Sequence, residues 1–179
     1  MRVVAGRFGG RTLSAPRGRG TRPTSDRVRE ALFSILGPAS VEDARVLDLF
    51  AGSGALGIEA LSRGAAQAAF VDSSAAAVAA LRRNLGALGV EAEVRRQDAL
   101  AYLRSASRDA RQYDLVFLDP PYRHANALGP ELSTALGPVL APGARVVAES
   151  DRRAPLDLDL TPLDERRYGD TLIRIHGSR

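Results

Sequence analysis

Residues 46–57 read Val-Leu-Asp-Leu-Phe-Ala-Gly-Ser-Gly-Ala-Leu-Gly, a short apolar run that contains one acidic residue and leads into three glycines. Gly52, Gly54 and Gly57 match the G-x-G-x-x-G spacing found between a strand and a helix in nucleotide-binding folds. The glycines let the backbone turn tightly and approach a ligand closely. The stretch therefore predicts a strand, a cofactor-binding loop and the start of a helix.

Outward from this loop, extended and helical patterns alternate along the chain. Strands are predicted near 45–50, 68–72, 92–96, 113–118 and 144–149, and helices near 55–63, 74–88, 99–106 and 128–139. Such alternation implies a parallel sheet covered by helices on both faces. Two more extended runs, near 160–167 and 171–176, predict a C-terminal antiparallel hairpin. The predicted fold class is therefore α/β, with a Rossmann-like, mostly parallel sheet.

The N-terminal region is predicted to form a separate small unit. Residues 2–13 alternate loosely around glycines and predict a small β-hairpin extension. Thr24 or Ser25 is predicted to cap a helix, whose apolar stripe is Val28, Ala31, Leu32, Ile35 and Leu36. We therefore divide the chain into an arm, residues 1–24, and a main domain, residues 25–179.

Composition excludes several classes of protein. A length of 179 residues fits one domain with a small appendage. There is no Cys, which excludes disulfides and thiolate metal sites, and two His are too few for a His-based metal site, so no metal is expected. The N-terminus lacks the apolar stretch of a signal peptide, and no window has the length of a membrane span. A soluble, cytoplasmic monomer is the expectation.

Basic charge is concentrated at the N-terminus. Residues 1–30 carry eight Arg against Asp26 and Glu30, a net charge of +6, whereas the whole chain is +4, which leaves −2 for the remainder. This distribution favours a polyanion partner, with nucleic acid preferred over a merely solvated arm. The predicted RNA-binding residues are Arg7, Arg11, Arg17, Arg19, Arg22 and Arg27.

The glycine spacing alone would also fit NAD, but Asp48 argues against it. This residue lies four positions before Gly52, at the end of the first predicted strand. A carboxylate there would repel a pyrophosphate, whereas it could attract the positive amino group of a methionine moiety. We expect Gly54 to leave open the space that such a methionine backbone needs. The predicted cofactor is S-adenosylmethionine.

Two more acidic residues follow the next strands. Asp72 ends the second strand and could accept both ribose hydroxyls; it could at the same time cap the following helix, although Ser73 or Ser74 could be the cap instead. Asp98 follows the third strand and is spaced to meet an adenine amino group, or it could cap the helix that starts near Ala99. The predicted cofactor site consists of Asp48, Phe50, Gly52, Gly54, Gly57, Asp72, Ser73, Asp98 and Ala99.

Asp119-Pro120-Pro121-Tyr122 follows the fourth strand and is the predicted reaction centre. The prolines fix the backbone, so that the carbonyl of Pro120 is held rigidly and stays free to accept a hydrogen bond. An exocyclic amine of a base is a poor nucleophile, because its lone pair is delocalised into the ring. Hydrogen bonds to Asp119 and a proline carbonyl would point this lone pair at a methyl group, while Tyr122 stacks on the base. The other interpretation is a Pro-Pro turn with a surface Tyr.

The same residues carry a family resemblance. Asp119 to Tyr122 resembles motif IV of the amino-methyltransferases, and Asp48 to Gly57 resembles their motif I. Residues 22–33, Arg-Pro-Thr-Ser-Asp-Arg-Val-Arg-Glu-Ala-Leu-Phe, resemble the signature of the RsmD family, the small-subunit rRNA guanine-N2 methyltransferases. Residues 2–11 resemble that family's opening hairpin, and residues 168–171 its closing turn.

The resemblance covers essentially the whole chain. It implies a class I S-adenosylmethionine-dependent methyltransferase fold, with the ribose role for Asp72 and the adenine role for Asp98. It also implies N2-methylation of one guanine in 16S rRNA, within the small ribosomal subunit or its assembly intermediate. Two alternatives stay open: an N6-adenine methyltransferase acting on DNA or RNA, and a non-catalytic RNA-binding ribosome assembly factor.

Overall fold

A computed structural model describes residues 1–16, 25–120 and 125–178, with the backbone alone for residues 125–127. The helices are α1 Asp26–Leu36, α2 Ala55–Ser62, α3 Ala75–Leu88, α4 Ala99–Arg108 and α5 Ala125–Leu136. The strands are β1 Arg45–Leu49, β2 Gln67–Asp72, β3 Glu93–Arg96, β4 Tyr113–Leu118, β5 Leu140–Asp151, β6 Thr161–Tyr168 and β7 Thr171–Gly177.

The seven strands form one sheet in the order β3-β2-β1-β4-β5-β7-β6. Strands β1 to β5 pair in parallel, whereas β7 pairs antiparallel with both β5 and β6. This arrangement confirms the predicted α/β class and the C-terminal hairpin. Because the chain moves outward from β1 to β3 and then returns to β4, the strand order reverses between β1 and β4. Open α/β sheets bind their ligands outside the carboxyl ends of the strands at such a point.

Each face of the sheet packs against its own set of helices. Phe70 of β2 and Phe117 of β4 belong to the core under α1, α2 and α3, whereas Leu47 of β1 and Leu118 of β4 belong to the core under α4 and α5. Successive residues thus alternate between two buried faces, as expected for a central parallel sheet. The ring of Phe33 lies 5.8 Å from that of Phe117 and seats α1 on the first face.

A side-chain cap begins α1 where the sequence indicated. Ser25 Oγ accepts a hydrogen bond from the Val28 backbone N at 3.3 Å, which confirms Ser25 as the cap of α1. Arg29, which is not part of the apolar stripe of α1, is nevertheless fully buried. Its guanidinium donates to Asp26 Oδ1 at 2.8 Å within α1 and to the Arg2 carbonyl, a partner that only the folded N-terminal segment supplies.

The described part of the N-terminal segment folds back on itself. An antiparallel bridge joins Arg2 to Thr12, and residues 6–8 form a turn of 3-10 helix, so the shape is that of a hairpin without extended strands. Val3 and Leu13 are 1% and 2% exposed and belong to the core of the first face. Residues 1–16 are therefore packed on the main body and are not a free arm.

No helix in residues 1–16, 25–120 or 125–178 is both long and apolar enough to cross a membrane.

Candidate active site

The carboxyl ends of β1 and β4 bring two predicted site residues together. The strands pair in register Asp48 with Phe117 and Leu49 with Leu118, so Asp119 follows directly beside the end of β1. Phe117 lies on the face of α1 to α3, and side chains alternate along a strand, so Asp119 projects toward that same face. Asp48 lies two residues after Val46, which also packs there. The glycine loop and the Asp119 segment thus meet at one edge of one face.

Asp48 is a buried carboxyl group at the base of the glycine loop. It is 3% exposed, and its Oδ2 accepts a hydrogen bond from the Gly57 backbone N at 3.0 Å. Burial raises the pKa of Asp48 to about 8, opposed by the hydrogen bond from Gly57 and reinforced by the charge of Asp72. A positively charged ligand group beside it would favour the ionised form. The expectation that Asp48 faces a cationic ligand group stays a prediction.

The three glycines of the loop have different reasons to be glycine. A Cβ on Gly54 would lie 2.3 Å from Leu81 Cδ1, and one on Gly57 would lie 2.3 Å from the Phe70 ring. Both Cβ positions point into the protein core, which corrects the expectation that Gly54 leaves space for the methionine backbone. At Gly52 the nearest such atom is the Phe50 carbonyl oxygen at 4.0 Å, so this position has open space.

Asp72 ties the end of β2 to the glycine loop. Its Oδ2 accepts from the Gly52 backbone N at 2.8 Å, and its Oδ1 accepts from the Ser74 backbone N at 2.8 Å. Ser74 caps α3, since its hydroxyl accepts from the Ala77 backbone N at 3.3 Å. The alternative of Asp72 as the cap is therefore wrong. Its ribose role stays a prediction, and its carboxylate holds the loop in place.

Asp98 caps α4, which was the other interpretation of this residue. Its Oδ1 accepts from the Ala101 backbone N at 3.0 Å, and the adenine role stays a prediction. Ala99 is buried, Ser73 is exposed, and Phe50 is partly exposed with a φ of +63°, a strained conformation for a residue other than glycine. Strain of this kind is often retained where a loop meets a ligand.

Asp119 is partly exposed, and the next residue, Pro120, is buried. The pKa of Asp119 is raised well above its usual range. The largest cause is burial of the Asp119 carboxyl group, the second is the charge of Glu149 and the third is the charge of Asp48. Perturbed carboxyl groups of this kind are concentrated at functional sites. Pro121 and Tyr122, the other two residues of the predicted reaction centre, lie outside the described residues.

Glu149 is a residue at this edge that sequence reasoning missed. It belongs to β5 and is 3% exposed. The register of β4 and β5 pairs Leu118 with Ala148, which places Glu149 beside Asp119. The sequence feature that could have identified Glu149 is its place directly after the apolar run Val146-Val147-Ala148, at the end of a predicted strand. Its significance depends on knowing which strand lies next to β4.

Asn84 was also missed, and it connects three parts of the site. Its Nδ2 donates to the carbonyls of Ser53 and Ser14 at 2.9 and 3.0 Å, and its Oδ1 accepts from the Ser14 backbone N at 2.8 Å. It therefore fixes the glycine loop, the N-terminal segment and α3 relative to one another. Within α3 its polar side chain gave no indication of this role.

The predicted RNA-binding arginines fall into two groups. Arg17, Arg19 and Arg22 lie outside the described residues. The described ones differ in their contacts: Arg7 lies over the Phe8 ring at 4.5 Å, Arg11 donates to the Ala87 carbonyl at 3.0 Å, and Arg27 is exposed on α1. Their RNA-binding role stays a prediction.

A cavity of about 720 Å³ lies away from this edge, between α4 and α5. Its wall is largely apolar, with Arg104 and Arg108 of α4 and Glu131 of α5 among its residues. None of the predicted site residues lines it. The candidate active site is therefore assigned from the strand ends and not from the volume of a cavity. Among the described residues, no group of His, Cys, Asp and Glu has the arrangement of a metal site.

This chain has the sheet order, the glycine loop and the acidic residues at strand ends that are typical of the class I S-adenosylmethionine-dependent methyltransferases. Solved structures that share the fold include methyltransferases in complex with S-adenosylmethionine or its product S-adenosylhomocysteine, with TM-scores of 0.66 and 0.68. Their identities to this chain are 23% and 17%, so they show the shared fold and no more.

The comparisons with known proteins narrow the class to a family. Residues 1–177 match the family described as Conserved hypothetical protein 95. YlbH of Bacillus subtilis (strain 168) is 39% identical over 186 residues, which cover 100% of both chains. Ribosomal RNA small subunit methyltransferase D of Haemophilus influenzae is 38% identical over 185 residues, with 98% of this chain and 93% of that protein covered. The solved structure of a hypothetical protein of Thermus thermophilus superposes with a TM-score of 0.85 at 30% identity and covers 98% of both chains.

The chain therefore belongs to the Conserved hypothetical protein 95 family, which is the RsmD family of the sequence resemblance.

Proposed function

We propose that this protein transfers a methyl group from S-adenosylmethionine to the exocyclic N2 of one guanine in 16S rRNA, within the small ribosomal subunit or its assembly intermediate. The observation that carries the proposal is the meeting of Asp119-Pro120 and the Asp48 glycine loop at one edge of the sheet. A cofactor loop and an amine-binding segment side by side are what methyl transfer to a base requires.

The residues at the edge fit S-adenosylmethionine, which supplies an electrophilic methyl group on a sulfonium ion. Asp48 would face the cationic amino group of the methionine part of the cofactor. Burial and the charge of Asp72 disfavour the ionised form of Asp48, and a positive charge beside it would stabilise that form. Asp72 would meet the ribose, and Asp98 the adenine. Gly52, whose Cβ position is open, lets the backbone approach the ligand.

Asp119 and the Pro120 carbonyl would hold the acceptor amine. Hydrogen bonds from the amine to these two oxygens orient its lone pair along the line of attack, and such positioning supplies the main rate enhancement. In this reaction the nitrogen would bond to the methyl carbon, the carbon–sulfur bond would break with its electron pair left on sulfur, and the nitrogen would then release one proton. Asp119 in its ionised form is the proposed proton acceptor.

The assignment of rRNA rests on the family. The Haemophilus relative, which is matched over 98% of this chain, carries the name ribosomal RNA small subunit methyltransferase D. The choice of guanine N2 rests on the resemblance of residues 22–33 to the RsmD signature, since the motif at residues 119–122 is shared with many amino-methyltransferases. The basic N-terminal region, with a net charge of +6 over residues 1–30, is suited to a phosphate backbone. This substrate would place the protein in the cytoplasm, and we propose that it acts as a monomer, which analytical ultracentrifugation can test.

The decisive experiment is methyl transfer followed by identification of the nucleoside. Small subunits are prepared from a strain that lacks the corresponding gene, incubated with the protein and methyl-labelled S-adenosylmethionine, and digested to nucleosides for mass analysis. Labelled N2-methylguanosine is the expected product. N6-methyladenosine would support the adenine alternative. Absence of any label, together with absence of S-adenosylmethionine binding in calorimetry, would support the non-catalytic assembly factor.

A further inference from the structure

We propose that Glu149 is a positioning residue of the methyl-transfer centre, which acts on the acceptor amine through Asp119. The proposal rests on the proposed function, because it gives Asp119 the role of proton acceptor. Glu149 lies in a strand that contributes neither the glycine loop nor the Asp119-Pro120 segment.

Register places the two carboxyl groups side by side. Strands β4 and β5 pair Phe117 with Val147 and Leu118 with Ala148, so the next position on each strand is Asp119 and Glu149. Adjacent strands are roughly 5 Å apart. Phe117 and Val147 both pack in the core under α1 to α3, and alternation directs Asp119 and Glu149 to this same face.

The buried surroundings of Glu149 strengthen the interaction between its charge and Asp119. Glu149 is 3% exposed, and on its other side β7 places Ile173, which is 2% exposed, in register with it. Charges in such a poorly solvated position interact much more strongly than charges in water. The negative charge of Glu149 is the second cause, after burial, of the raised pKa of Asp119, and Asp48 is the third.

The consequence for the reaction is a matter of proton balance. When the amine nitrogen bonds to the methyl carbon, one N–H proton passes to the ionised carboxylate of Asp119. A like charge close by makes Asp119 a stronger base and so favours this transfer. Because two adjacent carboxyl groups resist being ionised together, the proton can then be shared with Glu149 before it leaves to solvent. The methyl transfer and the release of one proton balance in bonds and in charge, so no further reactant is needed.

Charged groups on the neighbouring elements must be held constant in any test. They include Asp48 and Asp72 on the sheet. On the helices packed over this face they include Asp26, Arg27, Arg29 and Glu30 of α1, Glu59 of α2 and Arg63 that follows it, and Arg82 and Arg83 of α3. A change at Glu149 alone leaves all of these in place. Glu91→Gln is the matched control, because it removes the same charge from an exposed position between α3 and β3.

The first measurement does not depend on activity. The carboxyl carbons of Asp and Glu are labelled with ¹³C, Asp119 is assigned by comparison with Asp119→Asn, and the free protein is titrated by NMR. In Glu149→Gln the midpoint of Asp119 should fall by about one pH unit or more, as expected when a like charge is removed. Glu149→Asp, which keeps the charge, and Glu91→Gln should leave it within a few tenths of a unit. An unchanged midpoint in Glu149→Gln would overturn the proposal.

The second measurement needs no variant at position 149, in case Glu149→Gln does not fold. In the wild-type protein, coupled groups titrate in two steps that both carboxyl carbons report. Two independent single-step curves for Asp119 and Glu149 would contradict the coupling.

The third measurement links the pair to the reaction. The rate of a single turnover at saturating cofactor falls at low pH as Asp119 becomes protonated. In Glu149→Gln this acidic limb should move to lower pH by the same amount as the NMR midpoint. If the wild-type protein transfers methyl groups but the limb does not move, Glu149 has no part in the step. If the midpoint moves and no transfer occurs with any ribosomal substrate, the proposed function fails while the carboxyl coupling stands.

Discussion

At the scale of single residues, the candidate site depends on carboxyl groups whose burial changes their acid strength. Asp48 and Asp119 both have raised pKa values, in each case chiefly because burial disfavours the charged form. Such groups lower the stability of the free protein near neutral pH. In the proposed reaction, a cationic ligand group would meet Asp48 and a departing proton would pass to Asp119.

Substitution of Asp119 by Asn should separate catalysis from cofactor binding. Asparagine keeps the shape of the side chain but cannot accept a proton, so we expect methyl transfer to fall by at least about 10²-fold. Binding of S-adenosylmethionine, measured by calorimetry, should stay within a few fold of wild type. The control is Asp109→Asn at the exposed end of α4. Near-normal turnover would remove Asp119 from the mechanism.

Alanine at Gly54 should damage the fold more than alanine at Gly52. Both glycines have positive φ, +81° and +57°, which costs a residue with a Cβ about 1–2 kcal/mol. At Gly54 the Cβ also meets Leu81 Cδ1 at 2.3 Å, and such overpacking costs a further 1–3 kcal/mol or so. Urea unfolding should show the larger loss for Gly54→Ala. Equal losses would mean that the space around Leu81 adapts freely.

Stability should vary with pH through Asp48. Its pKa is raised from 3.8 to about 8 in the folded chain, so the folded state binds the proton more tightly than the unfolded state does. The stability from this group is complete below pH 4 or so and is lost as the pH rises through about 8. In Asp48→Asn the decrease in the free energy of unfolding between pH 5 and 8 should be smaller by about 2–5 kcal/mol. Chemical denaturation across this pH range measures it, and identical slopes would contradict the raised pKa.

At the scale of elements, α2 is the support on which the N-terminal segment rests. Glu59 of α2 is fully buried, and its carboxylate accepts from the backbone N of Val4 at 2.7 Å and of Ala5 at 3.0 Å. Arg63, one turn later, donates to the same carboxylate at 2.7 Å. A Cβ on Gly6 would lie 1.9 Å from the Ser62 carbonyl oxygen, so the segment and the helix are in close contact.

Removing the Glu59 side chain should release this segment. In Glu59→Ala two backbone donors and Arg63 lose their acceptor, and each unsatisfied buried group costs about 1–3 kcal/mol. We expect a total loss of about 2–5 kcal/mol in urea unfolding, with faster hydrogen exchange at residues 3–13. Glu91→Ala, at an exposed position, is the control. Unchanged exchange would show that Val3 and Leu13 hold the segment by packing alone.

At the scale of the whole molecule, charge divides the chain into a basic N-terminal region and a near-neutral body. Neutralising Arg17, Arg19 and Arg22 together should weaken RNA binding, and each lost phosphate contact should flatten the log–log dependence on salt by about 0.7–0.9. Cofactor affinity should stay as it is. The matched control neutralises Arg104, Arg108 and Arg145, which lie on α4 and in β5. RNA affinity is measured at several salt concentrations, and a wild-type slope would exclude these arginines as phosphate contacts.

The sequence by itself determined the order of elements, their approximate limits and the residues of the glycine loop and of the Asp119 segment. It could do so because these features are local: apolar periodicity, caps such as Ser25, and glycine spacing depend on neighbours along the chain. Positions at the ends of strands also followed, since all parallel strands end at one edge.

Only the tertiary structure decided which residues face each other. The pairing of β4 with β5 places Glu149 beside Asp119. Arg29 is buried because the N-terminal segment folds over α1. Leu81 occupies the space that a side chain at position 54 would need. Each of these contacts joins parts of the chain at least 27 residues apart. The physical reason is that burial and charge coupling depend on distance in space, which local sequence patterns do not encode.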